Sequence, residues 1–208
     1  MTEIGKFKFL IIDDFMPGSF VSDLLEYSLQ HQASFVPTQV KHKGHDHTSY
    51  DKRISQVCSI GLGPFEEAFS GAIQGHLAQF FQALGVPPFA IACTELELVA
   101  HGDGGMFVPH LDTATDAHGR GDSTVRVLSA VYYFHRMPKH FTGGELVIHP
   151  IRNDAAIEVL QPVANRLVVF PSFAPHEVRK ILCPSKDFAD SRFSINCWLR
   201  RARNGASR

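Results

Sequence analysis

From residue 90 onward the chain breaks into short apolar-rich runs, near 90–100, 106–112, 124–135, 144–149, 156–160, 165–170, 175–182 and 191–200, separated by turns rich in Gly, Pro or Asp. Many short strands at this spacing predict a β-sandwich or barrel. The segments ahead of residue 90 carry a helical period instead. The order is therefore helices first and an all-β body second, without βαβ alternation. That order argues against a doubly wound nucleotide-binding sheet, and the chain has no phosphate-cradling glycine loop.

Two segments predict helices. In the first, Val21, Leu24, Leu25 and Ser28 share a face after Pro17-Gly18-Ser19. In the second, Phe65, Ala68, Phe69, Ala72, Ile73, Leu77, Phe80, Phe81 and Leu84 form one wide apolar stripe, as on a helix that covers a sheet. Pro64 suits a first helical position, and Gly85 before Pro87-Pro88 is a stop signal. The N-terminal stretch Met1–Phe15, a short apolar run flanked by acids, reads as a strand and lacks the small-residue cleavage site of a signal peptide. With 208 residues and no linker rich enough to divide them, the expected organisation is one domain over 1–208, with helical and strand support to about residue 88 and a barrel core at about 89–200.

Charge excludes some partners. Lys and Arg number 20 against 21 Asp and Glu, for a net charge of −1. There is thus no electrostatic case for nucleic acid or a membrane surface. The basic stretch Arg200–Arg208 reads as a solvated tail. No segment approaches the roughly 20 apolar residues that span a bilayer. Cys58, Cys93, Cys183 and Cys197 are scattered, which predicts reduced thiols and a cytoplasmic setting.

A metal constellation is the main chemical signal. The chain has two His-x-Asp pairs, His101-Gly-Asp103 and His110-Leu-Asp112. The first lies in a glycine-rich stretch that fixes no side-chain direction. The second follows the extended run Met106–Pro109, and residues two apart on a strand point to one face. His110 and Asp112 would supply two-thirds of a 2-His-1-carboxylate set, which suits iron(II) with open positions. The third ligand must come from downstream, where His118, His135, His140, His149 and His176 are candidates. His176 is the best placed, because a buried apolar strand and a tight Pro-Ser-Phe-Ala-Pro turn precede it.

In the last run, Arg192, Ser194 and Asn196 alternate with Phe193, Ile195 and Cys197. If the apolar face meets the helices, Arg192 points into the barrel. A buried guanidinium needs an acid, either a protein acid such as Glu145 or the carboxylate of a ligand.

The stretches FVPHLDT, VLSAVYYFHRMPKHFTGGELVIHP, NRLVVFPSFAPHEV and SRFSINCW together resemble the prolyl 4-hydroxylase-like branch of the 2-oxoglutarate/iron(II) dioxygenases. The resemblance covers roughly residues 89–200 in family order. It implies a mainly β fold with flanking α-helices, a double-stranded β-helix of the jelly-roll or cupin-like kind. It implies that His110, Asp112 and His176 bind Fe(II), and that Arg192, Tyr133 and Ser194 hold the distal carboxylate of 2-oxoglutarate. The cofactors would be Fe(II), 2-oxoglutarate and O2, with ascorbate a further candidate as reductant. Many relatives place a tyrosine shortly before the His-x-Asp strand. Here Val-Ala-His-Gly stands there, so His101 is the candidate replacement. Lys186 competes with Arg192 for the co-substrate, but Arg192 opens a strand and Lys186 lies in an irregular segment.

The implied reaction is hydroxylation of an unactivated C–H bond. The substrate would be a prolyl or other amino-acid residue in a peptide or protein, a free amino acid, or a small natural-product precursor. Two polar stretches resist regular assignment, Thr38–Arg53 and Thr113–Thr124. Within them His42, His45, His47, Arg53 and Arg120 are candidate substrate contacts. The rival reading is a cupin-like metal-binding protein with non-oxidative chemistry, which leaves Arg192 and Tyr133 without a purpose.

Overall fold

A computed structural model of the chain describes residues 5–38, 51–113, 123–152 and 155–203, and the backbone alone of 40–42 and 45–47. Helix α1 spans Gly18–Gln30 and buries Phe20, Leu24 and Ser28. The second helical segment, expected as one helix, is two: α2 (Glu66–Gly75) and α3 (Leu77–Leu84). The break falls at His76. Its ring Nδ1 sits 2.8 Å from the Ala72 carbonyl, the acceptor that a continuous helix would offer to the His76 backbone N–H. That N–H turns instead to the Ile73 carbonyl at 3.1 Å. Gly75, a poor helix former, makes the departure inexpensive. Gly85 closes α3 in the left-handed region, φ 66°, as its place after the apolar stripe predicts.

All eight runs beyond residue 90 form strands: β7 (Cys93–His101), β8 (Met106–His110), β9 (Thr124–Phe134), β10 (Leu146–Ile148), β11 (Glu158–Leu160), β12 (Arg166–Pro171), β13 (His176–Val178) and β14 (Arg192–Ala202). The N-terminal third adds β1 (Leu10–Ile12), β2 (Phe35–Pro37), β5 (Arg53–Ile54) and β6 (Gln56–Cys58), and the backbone pair β3 (Val40–His42) and β4 (His45–His47). One sheet has the order β1-β12-β9-β14-β7-β6-β2 and the other β11-β10-β13-β8-β5, while β3 and β4 pair with each other. Every pairing within them is antiparallel. Part of the Thr38–Arg53 stretch is therefore regular. Its two- and three-residue strands are too short for periodicity to show.

The strand period sorts side chains between two cores. On β14, Phe193, Ile195, Cys197 and Leu199 pack with Leu24, Phe69, Ile73 and Phe80 of the helices, as do Leu128, Ala130, Tyr132 and Phe134 of β9. The opposite face of the same sheet supplies Tyr133, Val168 and Phe170, which pack with Leu146, Ile148 and Leu160 of the five-stranded sheet. The two sheets thus face each other, and the helices cover the outside of the larger one.

Asn165 ties the N-terminal segment to this body from a left-handed position, φ 63°. Its Oδ1 accepts from Met16 N and from the Tyr132 hydroxyl, both at 2.9 Å, and its Nδ2 donates to Met16 O at 2.8 Å. Asn165→Ala leaves these groups unpaired and puts a Cβ-strained residue in a region that asparagine tolerates. The expected cost is about 2–4 kcal/mol, read as a lower Tm in thermal unfolding with the cleft chemistry intact.

The C-terminal basic stretch differs from the expected tail. Arg200 and Arg201 belong to β14. Arg200 is ion-paired with Glu95 and donates to Thr124 Oγ1 at 2.6 Å. An acid across the ladder holds the cation in place, so the strand continues. Residues 204–208 lie outside the described residues. Among the described residues no helix is long and apolar enough to cross a membrane, and all four cysteines are free.

Candidate metal centre and anion pocket

His110 ends β8 and His176 begins β13, and the two are directly opposite in the antiparallel ladder. Asp112 lies just beyond the strand, which stops at His110 rather than at 112 as the sequence pattern suggests. The cause is a change of partner. The N–H groups of Asp112 and Thr113 both turn to the Ser172 carbonyl, at 3.0 and 3.1 Å. The carboxylate then sits between the two rings, with Oδ1 3.7 Å from His110 Nε2 and Oδ2 3.5 Å from His176 Nε2. One donor atom from each residue lies within 4.8 Å of the others.

Both rings are turned the same way. His110 Nδ1 lies 2.9 Å from the Val108 carbonyl, and His176 Nδ1 lies 2.9 Å from the Ala174 carbonyl. A carbonyl only accepts, so each Nδ1 carries the proton and each Nε2 offers a lone pair to the centre. Phe107 stacks on His110 with centroids 3.5 Å apart. Burial, then the neighbouring His176 ring, pushes the His110 pKa down to about 4, so this imidazole is neutral at ordinary pH. Burial works to raise the Asp112 carboxyl. The His176 and His110 rings, with hydrogen bonds from the Ser129 and Trp198 side chains, outweigh it and hold the group below its ordinary range. Two imidazoles and one carboxylate are the donor set that suits a divalent first-row metal with open positions.

The same cleft contains a second cluster. Arg192 and His101 line it together with His110, Asp112 and His176, and they pair across the β14–β7 ladder. Arg192 is 2% exposed. Its guanidinium lies over the Tyr133 ring, 4.7 Å from the centroid. Among the described residues it forms no ion pair, with Glu145 or any other acid. Its Nη1 lies 3.2 Å from His101 Nδ1. A guanidinium has only donors, so His101 Nδ1 accepts and its proton resides on Nε2. Burial, Arg192 and Arg53 hold the His101 pKa well below its ordinary value, which keeps the ring neutral.

Three buried polar atoms here lack a hydrogen-bond partner among the described residues: Arg192 Nε, His101 Nε2 and the Tyr133 hydroxyl. Orphaned buried donors beside an unpaired cation are costly unless a ligand satisfies them. The chemistry that fits is a carboxylate. Gly144 leaves room for the arginine, since a Cβ there would stand 2.8 Å from Arg192 Cδ.

The remaining sequence candidates separate clearly. Ser194 is fully buried, bonds to the Asn196 side chain at 3.4 Å and does not line the cleft. Lys186 is exposed, with φ 55°. Asp103 of the other His-x-Asp pair accepts from Cys183 N at 2.9 Å. His140 is exposed, and neither His135 nor His149 reaches the cleft. Arg53 lines the cleft, stacked over Phe107 at 5.1 Å and paired with Glu97 at 3.4 Å. The side chains of His42, His45 and His47, and the whole of His118 and Arg120, lie outside the described residues. Sequence reasoning missed Ser129, Ser172 and Trp198, which a hydrophobic pattern cannot separate from ordinary core positions.

A family profile described as the 2OG-Fe(II) oxygenase superfamily matches residues 96–200. The chain is 34% identical over 139 residues to an uncharacterized PKHD-type hydroxylase of Synechocystis sp., covering 64% of this chain. It spans less than half, 44%, of that protein's length. A Pseudomonas putida prolyl-4-hydroxylase has a similar structure, with a TM-score of 0.69 and 23% identity over 95% of this chain and 94% of that one. A Trichoplax adhaerens prolyl hydroxylase, solved with a peptide fragment of the hypoxia inducible factor oxygen degradation domain, gives 0.66 and 18% over 92% and 83%. A viral collagen prolyl hydroxylase from Paramecium Bursaria Chlorella virus-1, a 2OG complex, gives 0.59 and 13% over 94% and 97%. These structures share the double-stranded β-helix fold with this chain.

Proposed function

The chain belongs to the 2OG-Fe(II) oxygenase superfamily, and from that premise we propose that it is a 2-oxoglutarate-dependent hydroxylase with His110, Asp112 and His176 as its iron ligands. The observation that carries this reading is the buried Arg192, without an acid partner among the described residues, in the same cleft as the three donors. A metal-binding protein with non-oxidative chemistry has no use for that cation, whereas a dicarboxylate co-substrate needs one.

Bound in this cleft, Fe(II) and 2-oxoglutarate would supply the oxygen chemistry, in which 2-oxoglutarate loses CO2, one atom of O2 leaves in the resulting succinate and the other enters a substrate C–H bond as a hydroxyl. The protein's own groups bind and orient. The Nδ1–H bonds to Val108 and Ala174 fix the imidazole directions. Arg192 and His101 Nε2–H fit the distal carboxylate, and Tyr133 adds a hydroxyl behind the guanidinium. Leu146, Val178 and Phe107 line the cleft and keep water from the reacting centre.

The finer assignment is a prolyl or other amino-acid residue in a peptide or protein, or a free amino acid, with ascorbate as an auxiliary reductant. It is supported by the sequence resemblance to the prolyl 4-hydroxylase-like branch and by the position of Arg53 at the cleft, where a substrate would lie. The test is anaerobic addition of iron(II) and then 2-oxoglutarate to metal-free protein. A weak visible charge-transfer band should need both additions and be missing in His176→Ala. Iron binding without such a band would sink the co-substrate assignment and favour the cupin-like rival.

A further inference from the structure

The turn that delivers His176 also grips Asp112, through two serines. Ser129 Oγ lies 2.6 Å from Asp112 Oδ2, and 2.9 Å from Ser172 Oγ. A carboxylate only accepts, so the Ser129 proton is committed to Asp112. Ser172 must then donate to Ser129. The chain of hydroxyls therefore runs one way, from Ser172 through Ser129 to Oδ2. Ser129 is 1% exposed and Ser172 fully buried, so water does not compete for these bonds. Ser172 also accepts the backbone N–H groups of Asp112 and Thr113. It sits four residues before His176, in the connection from β12 to β13.

We propose that Ser129 is a positioning residue. Its hydroxyl, polarised by Ser172, occupies Oδ2 and leaves Oδ1 as the oxygen that Asp112 presents to the metal. One carboxylate oxygen bound, instead of two, keeps a coordination position open. The inference rests on the ligand assignment proposed above. The clamp also couples two ligands mechanically, because displacement of the Ser172 turn moves His176 and Asp112 together. Partners of this kind change metal affinity by about 10- to 100-fold when removed.

The test is competition between protein and a chromophoric chelator for Co(II), with the cobalt d–d spectrum recorded. Ser129→Ala should weaken Co(II) binding by about tenfold or more and alter the spectrum, with far-UV dichroism unchanged. Ser129→Thr keeps the hydroxyl donor and should restore both. Ser172→Ala should cost less, and should add little to Ser129→Ala because it acts through Ser129. If Ser129→Ala binds Co(II) like the wild type while Asp112→Ala does not bind, the clamp is wrong and the ligand assignment stands. If Thr fails to restore affinity, or the two alanine effects simply add, Ser129 acts by packing alone. If the wild type itself binds no Co(II), the ligand assignment falls, and the clamp with it.

Discussion

Arg192→Met is expected to raise the Tm of the ligand-free protein and to remove most of its affinity for 2-oxoglutarate. The two effects have one cause. In the free protein the guanidinium is buried without an acid partner among the described residues, and burial disfavours its charged form. Replacing buried charge with an apolar chain of similar length is often neutral or stabilising, by about 1–4 kcal/mol. The substitution strands His101 Nδ1, which takes back part of that gain. With the co-substrate bound, the guanidinium meets a carboxylate in a dry site. Losing one partner of such a pair costs about 2–5 kcal/mol, or roughly thirty- to several-thousand-fold in Kd. Differential scanning fluorimetry and equilibrium binding of 2-oxoglutarate to the metal-loaded protein read the two arms. Iron affinity should change little, since Arg192 touches no proposed ligand. A fall in Tm with equal losses of iron and co-substrate would make Arg192 a structural residue.

Asp112→Ala is expected to cost at least about 100-fold in metal affinity, more than the loss of an outer partner, and to leave the fold in place. Asp112 lies after the end of β8, and its backbone contact to Ser172 survives the change. Burial of its carboxylate opposes folding, while the two imidazoles and Ser129 favour it. The favourable contacts outweigh burial, so removing the group costs some stability while the backbone pairing keeps the fold. Chelator competition reads the affinity and far-UV dichroism reads the fold. Wild-type affinity in the variant would move the metal elsewhere in the chain. Collapse of the dichroism would mark Asp112 as a residue that holds the fold.

Much of this molecule could be read from local pattern, because alternation along a strand reports burial without reference to the partner strand. Phe193, Ile195, Cys197 and Leu199 are apolar and face the helices, which by itself sends Arg192 to the other side. The eight strands beyond residue 90, the apolar faces of α1 to α3 and the Gly85 stop are signals of the same kind. His110 and Asp112 could be paired because they are two residues apart, and His176 stood out by the turn that precedes it.

Other features exist only as meetings between distant segments. His110 faces His176, and Arg192 faces a histidine 91 residues away, because the ladders have those registers. A slip of one residue would send each side chain to the opposite face, so alternation forbids odd slips, but it does not say which distant strand is the partner or which residue lies opposite. The same holds for the lack of an acid beside Arg192 among the described residues, for Ser194 bonded to the Asn196 side chain, and for Ser129 and Ser172 beside Asp112. The break at His76 depends on a ring competing for one carbonyl, a contest that helical periodicity does not record. Sequence alone determined which residue types were available for the chemistry and which face each would take. Only the folded chain decided which of them meet, because hydrogen-bond registers and buried polar pairings are set by partners far away along the chain.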